Sequence, residues 1–246
     1  MNENSADHVL SLVTRLRALQ TSLVGDVLDE LGCKQQILDA EIHAITPGLG
    51  LTGVAFPIRG EVASGTSVEA TQLDGRKRTS SPSYEFFRQL TPGCVAVVAT
   101  GGYRVAGPWG ENTALSARVR GCVGAVVDGP TRDSAELAEM GFPTFARFAT
   151  AARIEGRWRH VEYGRPIEMP GQTGPVVVAP GDLVLGDADG VVVVPARIAQ
   201  SAITAAEQLS EIETRMREEL LAGTDREDVY RRHDRYAHVR ALRSHP

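Results

Sequence analysis

The chain has 246 residues, 42% of them hydrophobic and 23% charged, with a formal net charge of −5. That length can bury a sizeable core in one large domain, or in one domain with an extension. The basic footprint of a nucleic-acid binder is missing, the densest block being Arg76-Lys77-Arg78, so no nucleic-acid partner is expected.

The N-terminus, MNENSADHVL, has no basic segment followed by an apolar stretch, and the reading is cytoplasmic. No apolar run approaches the roughly 20 residues a membrane helix needs, so no membrane partner is expected. Residues 6–19 carry an apolar stripe at 9, 12, 13, 16 and 19, which predicts a helix. Thr21-Ser22 offers an N-cap for a second helix over 23–31, closed by Gly32. Asp26 within it reads first as a dipole partner. Residues 47–59 read as a Gly-punctuated strand, and the polar stretch 60–83 as a long loop or flap. A short helix over 84–90 and a Thr91-Pro92-Gly93 turn lead into a strand, Cys94–Ala99.

A Gly-rich loop follows, then a helix over 112–120 and a continuous apolar run, Cys122–Val127, suited to a strand covered on both faces. Cys94 and Cys122 lie in apolar runs and read as small hydrophobes; with Cys33 they make an odd count without a CxxC, which fits a reducing cytosol. A helix over 134–140 stops at Gly141, and a short strand covers 143–146. The Val-rich run 174–195, broken by PGD and DADG turns, predicts three strands in a meander. Residues 196–222 predict a long helix with a stripe through Ile203, Leu209 and Met216, and 224–246 a polar helix with a frayed end.

Two charged clusters are separated by one helix–strand unit, so both can open onto one edge of a sheet. In Gly110-Glu111-Asn112-Thr113 a glycine loop enters a helix, whose free N–H groups suit a carboxylate or phosphate. On spacing alone, the plainer reading comes first: a helix start with Glu111 as a dipole partner and Asn112 as a cap. In Arg132-Asp133-Ser134-Ala135-Glu136, Asp133 and Glu136 have capping-box spacing. Arg132 ends a buried strand, where open sheets place ligands, and its planar fork matches a carboxylate. Asp133 can hold a hard cation such as Mg²⁺ or Mn²⁺ through one oxygen, with waters completing the shell. The histidines lack zinc-ligand spacing, and GxSxG and P-loop motifs are absent.

Gly110-Glu111, twenty residues, then Arg132-Asp133 and Glu136 resembles the signature of the RraA-like superfamily, which includes the class II 4-hydroxy-4-methyl-2-oxoglutarate / 4-carboxy-4-hydroxy-2-oxoadipate aldolases. GCVGAVVDGPTRDSAELAEMGFPTFAR resembles that family's strand–turn–helix core, PGDLVLGDADGVVVVP its closing strands and TSLVGDVLDELG its N-terminal helix. The resemblance implies an α/β fold, a swivelling-type β/β/α domain over 1–205 with a C-terminal helical extension over 206–246. It implies a homotrimer or homohexamer with sites near subunit interfaces. Gly110, Glu111, Asn112 and Thr113 would hold a pyruvoyl carboxylate, Arg132 would face the small 2-oxo acid substrate, and Asp133 would bind a divalent metal cation. Glu111 stands where the best-characterised aldolases carry Asp, one methylene shorter. The implied activity is a metal-dependent carbon–carbon lyase of the pyruvate type, with oxaloacetate decarboxylation at the same site. The alternative is a non-enzymatic RraA-like regulator of a partner enzyme; that branch lacks the metal aspartate, which this chain keeps as Asp133.

Overall fold

The computed structural model describes residues 3–63 and 82–243. The chain opens with α1 (Glu3–Leu16) and α2 (Thr21–Glu30), then β1 (His43–Ala44) and the long β2 (Leu51–Val62). A 3-10 helix (Pro82–Gln89) precedes β3 (Cys94–Ala99), α3 (Glu111–Arg118), β4 (Gly124–Val127), β5 (Pro130–Thr131), α4 (Ser134–Glu139), β6 (Thr144–Ala146) and β7 (Phe148–Ala149). Then come β8 (Trp158–Tyr163), β9 (Ile167–Met169), β10 (Val176–Val178), β11 (Leu183–Asp187) and β12 (Gly190–Val194). The chain ends in α5 (Ala199–Leu221), α6 (Arg226–Arg232) and α7 (Ala237–Arg243).

The main sheet runs β1-β6-β4-β3-β2-β11-β12, with β8 also on β2. β2, β3, β4 and β6 are parallel, and the crossovers from β3 to β4 and from β4 to β6 carry α3 and α4. Residues 36–44 tie the two edges together. Leu38 N donates to Val191 O (2.9 Å) and Val193 N to Gln36 O (2.9 Å), while β1 pairs with β6. The sheet is therefore nearly closed, with few unpaired edges.

β3 shows why these residues make central strands. Its six side chains are all buried, Val95 and Val97 facing one core cluster and Cys94, Ala96 and Val98 facing another. The first cluster is completed by Phe145 and the β9–β10 pair, the second by Phe86, Trp109, Phe142 and the inner faces of α3 and α4. A third cluster joins α1, α2 and α5 to β11 and β12. Ala202, Ile203, Ala206 and Leu209 carry the predicted stripe of α5 into it. The expected boundary at 205/206 lies inside this helix.

The structure corrects several expectations. α2 begins at Thr21, its N-cap is Gln20, and neither Thr21 nor Ser22 caps it. Asp187 of β11 does so from a distance, accepting from Thr21 N (2.8 Å) and Thr21 Oγ1 (2.6 Å). The meander over 174–195 is only partly present. β11 and β12 form a hairpin, but β10 pairs with β9 in a separate two-stranded sheet. The reason lies in the PGD turn. Buried Asp182 accepts from Ala179 N (2.8 Å) and Ala196 N (2.9 Å), which locks the turn instead of folding β10 onto β11. The polar helix expected in the tail is two helices, α6 and α7, and the end expected to fray falls at 244–246, outside the described residues. Val229 and Val239 are fully buried, and Asp26 accepts from Tyr236 Oη (2.8 Å) and Arg235 (3.2 Å). Of the loop expected over 60–83, residues 60–62 continue β2, 82–83 open the 3-10 helix, and 64–81 lie outside the described residues.

Candidate functional site

β3 and β4 lie side by side and parallel, so the loops after their C-terminal ends meet. The first loop runs through Trp109 and Gly110 into α3; the second runs through β5 to Arg132, Asp133 and α4. An isolated parallel bridge joins Trp109 to Thr131. Arg132 N donates to Trp109 O (2.8 Å), and Thr131 Oγ1 donates to the same oxygen (3.0 Å). These long-range bonds bring the two clusters into one place.

Two glycines permit the approach. A Cβ on Gly107 would sit 2.6 Å from Arg132 Cγ, and one on Gly110 would sit 2.7 Å from Asp133 Oδ2. At Gly107 the Thr131 backbone is also in the way (2.9 Å), and at Gly110 a Cβ would displace the Asp133 carboxylate.

Asp133 is the N-cap residue of α4, yet its side chain makes no cap hydrogen bond. The capping-box reading of Asp133 and Glu136 therefore fails. Its backbone is left-handed (φ 55°), unlike every other non-glycine among the described residues. That turns the carboxylate toward the other loop, where Oδ2 accepts from Glu111 N (3.1 Å). One amide of the α3 N-terminus is thus engaged by Asp133. The amides of Asn112 and Thr113 find no backbone acceptor, and Ala114 N is the first to close a helical bond, to Gly110 O (2.9 Å). The N-cap of α3 is Gly110, so Asn112 is not the cap.

Arg132 is held but not satisfied. Its nearest carboxylate contact is Nη2 to Asp133 Oδ1 at 3.7 Å, too long for a hydrogen bond. Its Nε is buried with no acceptor among the described residues. A buried charged donor without a partner costs on the order of 1–3 kcal/mol or more, so an anionic ligand would relieve a penalty the free chain carries. Glu111 is half-buried, and its carboxylate has no hydrogen-bond or ion-pair partner among the described residues.

Behind the two loops lies a polar brace that composition did not signal. Asp128, 3% exposed, accepts from Thr100 N. Burial pushes its carboxyl up from the usual range, opposed by the Thr100 hydrogen bonds and the Arg147 charge. Arg147 donates to Asp128 O (2.8 Å) and pairs with Asp39 (3.1 Å) and Glu41. The Glu41 backbone N–H, which donates to Asp39 Oδ1 (3.0 Å), and the Arg147 guanidinium hold the Asp39 carboxyl low. Trp109, Thr131 and Gly107 were likewise not singled out from sequence. Their roles arise from pairing between loops 22 or more residues apart.

Could a metal be held here? Among the described residues no three His, Cys, Asp or Glu side chains converge as a metal cage. Asp133 offers one carboxylate, a third exposed and engaged by a single amide. That donor set suits a hard cation that keeps most of its waters, such as Mg²⁺ or Mn²⁺, and not a tightly caged one.

A family model described as RraA-like (Aldolase/RraA) matches residues 21–193, and the chain belongs to this family. A protein of Halalkalibacterium halodurans, provisionally named a 4-hydroxy-4-methyl-2-oxoglutarate aldolase, is 30% identical over 186 residues, 76% of this chain and 77% of its own length. An uncharacterized protein of Methanocaldococcus jannaschii is 34% identical over 140 residues, 54% of this chain and 61% of its own. Among solved structures, an uncharacterized Pseudomonas syringae pv. tomato protein shares the fold, with TM-score 0.74, 24% identity, and 89% of this chain and 96% of that one covered. Streptomyces coelicolor RraAS2, described as an unusual member of the RNase ES inhibitor RraA family, aligns with TM-score 0.67 and 28% identity over 84% of this chain and 98% of its own. No helix among the described residues is long and apolar enough to cross a membrane.

Proposed function

We propose that the chain is a divalent-metal-dependent carbon–carbon lyase acting on small 4-hydroxy-2-oxo acids, with oxaloacetate decarboxylation at the same site. The observation that carries this reading is Arg132: an anchored guanidinium with unspent donors, set between free α3 amides and the Asp133 carboxylate. The name of the H. halodurans relative points the same way.

In this reading the amides of Asn112 and Thr113 and the Arg132 fork bind the 2-oxo acid carboxylate and fix its orientation. Asp133, with waters, would hold Mg²⁺ or Mn²⁺, which supplies Lewis-acid polarisation of the keto oxygen. Glu111 takes the proton from the 4-hydroxyl, directly or through one water, as the carbon–carbon bond breaks. The pyruvoyl fragment leaves as an enolate, and Arg132 is placed to stabilise the charge that grows on its oxygen.

The likeness to RraAS2 favours a second reading, a regulator that presents a surface to a partner enzyme. Pyruvate release from oxaloacetate, measured with Mg²⁺ or Mn²⁺ and again with EDTA, separates the two. The lyase reading expects metal-dependent turnover that EDTA and Asp133→Ala both remove. Turnover that is absent, or indifferent to both, would sink it.

A further inference from the structure

We infer that a second cavity, at the opposite end of the parallel strands, binds a small monocarboxylate with a compact apolar body. The cavity has a volume of about 370 Å³ and lies where the α1–α2 connection crosses the starts of β2 and β4 and the end of β11. The Arg132 loops follow the other ends of these strands. β3 is six residues long, so the two places are roughly 20 Å apart at ~3.3 Å per residue. The site is thus separate from the proposed active site, and it does not rest on the lyase reading.

Three observations define the ligand. First, the walls supplied by Leu19, Val123 and Leu185 are aliphatic and call for an apolar body. Second, the cavity has one uncommitted charge. Arg17 lines it, is exposed, and makes no side-chain hydrogen bond or ion pair among the described residues. Asp187 also lines it, but its carboxylate is committed: it accepts from Thr21 N and Oγ1 and from Asp189 N (2.9 Å). The charged group left for a ligand is therefore the Arg17 guanidinium, whose fork matches a carboxylate. Third, Thr52 is 7% exposed, lines the cavity, and has no hydrogen-bond partner for its hydroxyl among the described residues. The hydroxyl itself is open to solvent at the cavity, so a ligand oxygen can take the place of a water on it. A carboxylate satisfies both groups at once, one oxygen on the Arg17 fork and the other on Thr52 Oγ1. The volume stands near the lower end of the ~300–1,000 Å³ range of ligand pockets, which suits an acid of about one ring and excludes nucleotides.

Benzoate is the probe, titrated calorimetrically into the full-length protein, with methyl-resolved NMR to locate it. Saturable binding is expected, with shifts at the Leu19, Val123 and Leu185 methyls. Benzamide, the same shape without the charge, is expected to bind roughly tenfold more weakly, as is benzoate to Arg17→Met; Thr52→Val should cost about fivefold. Leu19→Trp should fill the space and abolish binding. Arg17 is exposed, so Arg17→Met should melt like the parent; Leu19 packs against the α1–α2–α5 cluster, so the fold of Leu19→Trp is checked by its NMR spectrum before its binding is read. The inference is overturned if millimolar benzoate gives no saturable heat, if benzamide binds equally well, if Arg17→Met leaves the affinity unchanged, or if the shifts fall at residues 110–133 instead. Loss of lyase turnover has no bearing on any of these readouts.

Discussion

At Asp133 a backbone constraint and a proposed chemical role fall on the same residue. Its left-handed conformation costs most side chains roughly 1–2 kcal/mol, and Asn and Asp bear it best. Asp133→Asn keeps that tolerance, the size and an acceptor for Glu111 N, and removes the charge. Its melting temperature should stay within about 2 °C of the parent, while metal-dependent pyruvate release falls on the order of a hundredfold or more. A parent-like rate in this variant would take the metal role away from Asp133. Asp128 tests the brace behind the site. Its folded carboxyl titrates above its unfolded value, so the folded state binds the proton more tightly. Its contribution then falls as pH rises from the unfolded value, about 3.9, to the raised folded one, and stays at its lower level above that. Asp128→Asn keeps an oxygen for Thr100 N and cannot ionise. Urea-derived stability of the parent relative to this variant should therefore decline with rising pH across that window; a difference that is flat or rises refutes the burial argument. Strand–helix spacing placed Arg132, Asp133 and the 110–113 loop on one edge of a sheet, but by itself it left them readable as helix caps; the family signature added the site reading. Gly107, Trp109 and Thr131 were not legible in sequence, because only the folded approach of two distant loops gives them their contacts.

Among elements, legibility followed the source of each one's burial. β3 carries its own signal, six apolar residues between turn residues, and its bounds agree with the expected Cys94–Ala99. Gly32 and Gly141 have positive φ after their helices, as their sequence positions predicted, and Gly121 and Gly223 end α3 and α5 in the same way. β8 escaped notice because its run, WRHVEY, mixes charge with apolar residues. What makes it a strand is β2, extended to Val62, where Trp158 lies over Gly60 so closely that a Cβ there would be 1.9 Å from its ring. α2 makes the same point in its capping. No local side chain caps it, and Asp187 does so across 166 residues. Asp187→Ala should cost about 1–2 kcal/mol, a drop of about 2–8 °C in melting temperature. Adding Gln20→Asp, which places a carboxylate at the N-cap itself, should recover a substantial part. An unchanged melting temperature in Asp187→Ala would show that the strand does not cap the helix.

On the scale of the whole molecule, the candidate site is open in a single chain. Arg132 and Asp133 are each about a third exposed, and a site of the proposed chemistry works better when water is excluded. The outer face of α3, which starts at the site, presents Leu115 at 42% and Val119 at 78% exposure, one turn apart. The trimer or pair of trimers that the family resemblance implies would cover the site if α3 lies near the contact. With 26.4 kDa per chain, light scattering at micromolar concentration should give about 79 kDa for a closed trimer or about 158 kDa for two, the closed symmetric forms expected of homo-oligomers. Leu115→Glu combined with Val119→Glu puts two charges into the contact and should shift the mass toward one chain. Both residues are solvent-facing within the chain, so its circular dichroism should stay unchanged. Turnover should fall with the oligomer and return where concentration restores assembly, which separates a shared site from simple damage to α3. A parent protein that scatters as one chain would remove the assembly. An intact oligomer in the double variant would move the contact away from α3 and leave the site open to water.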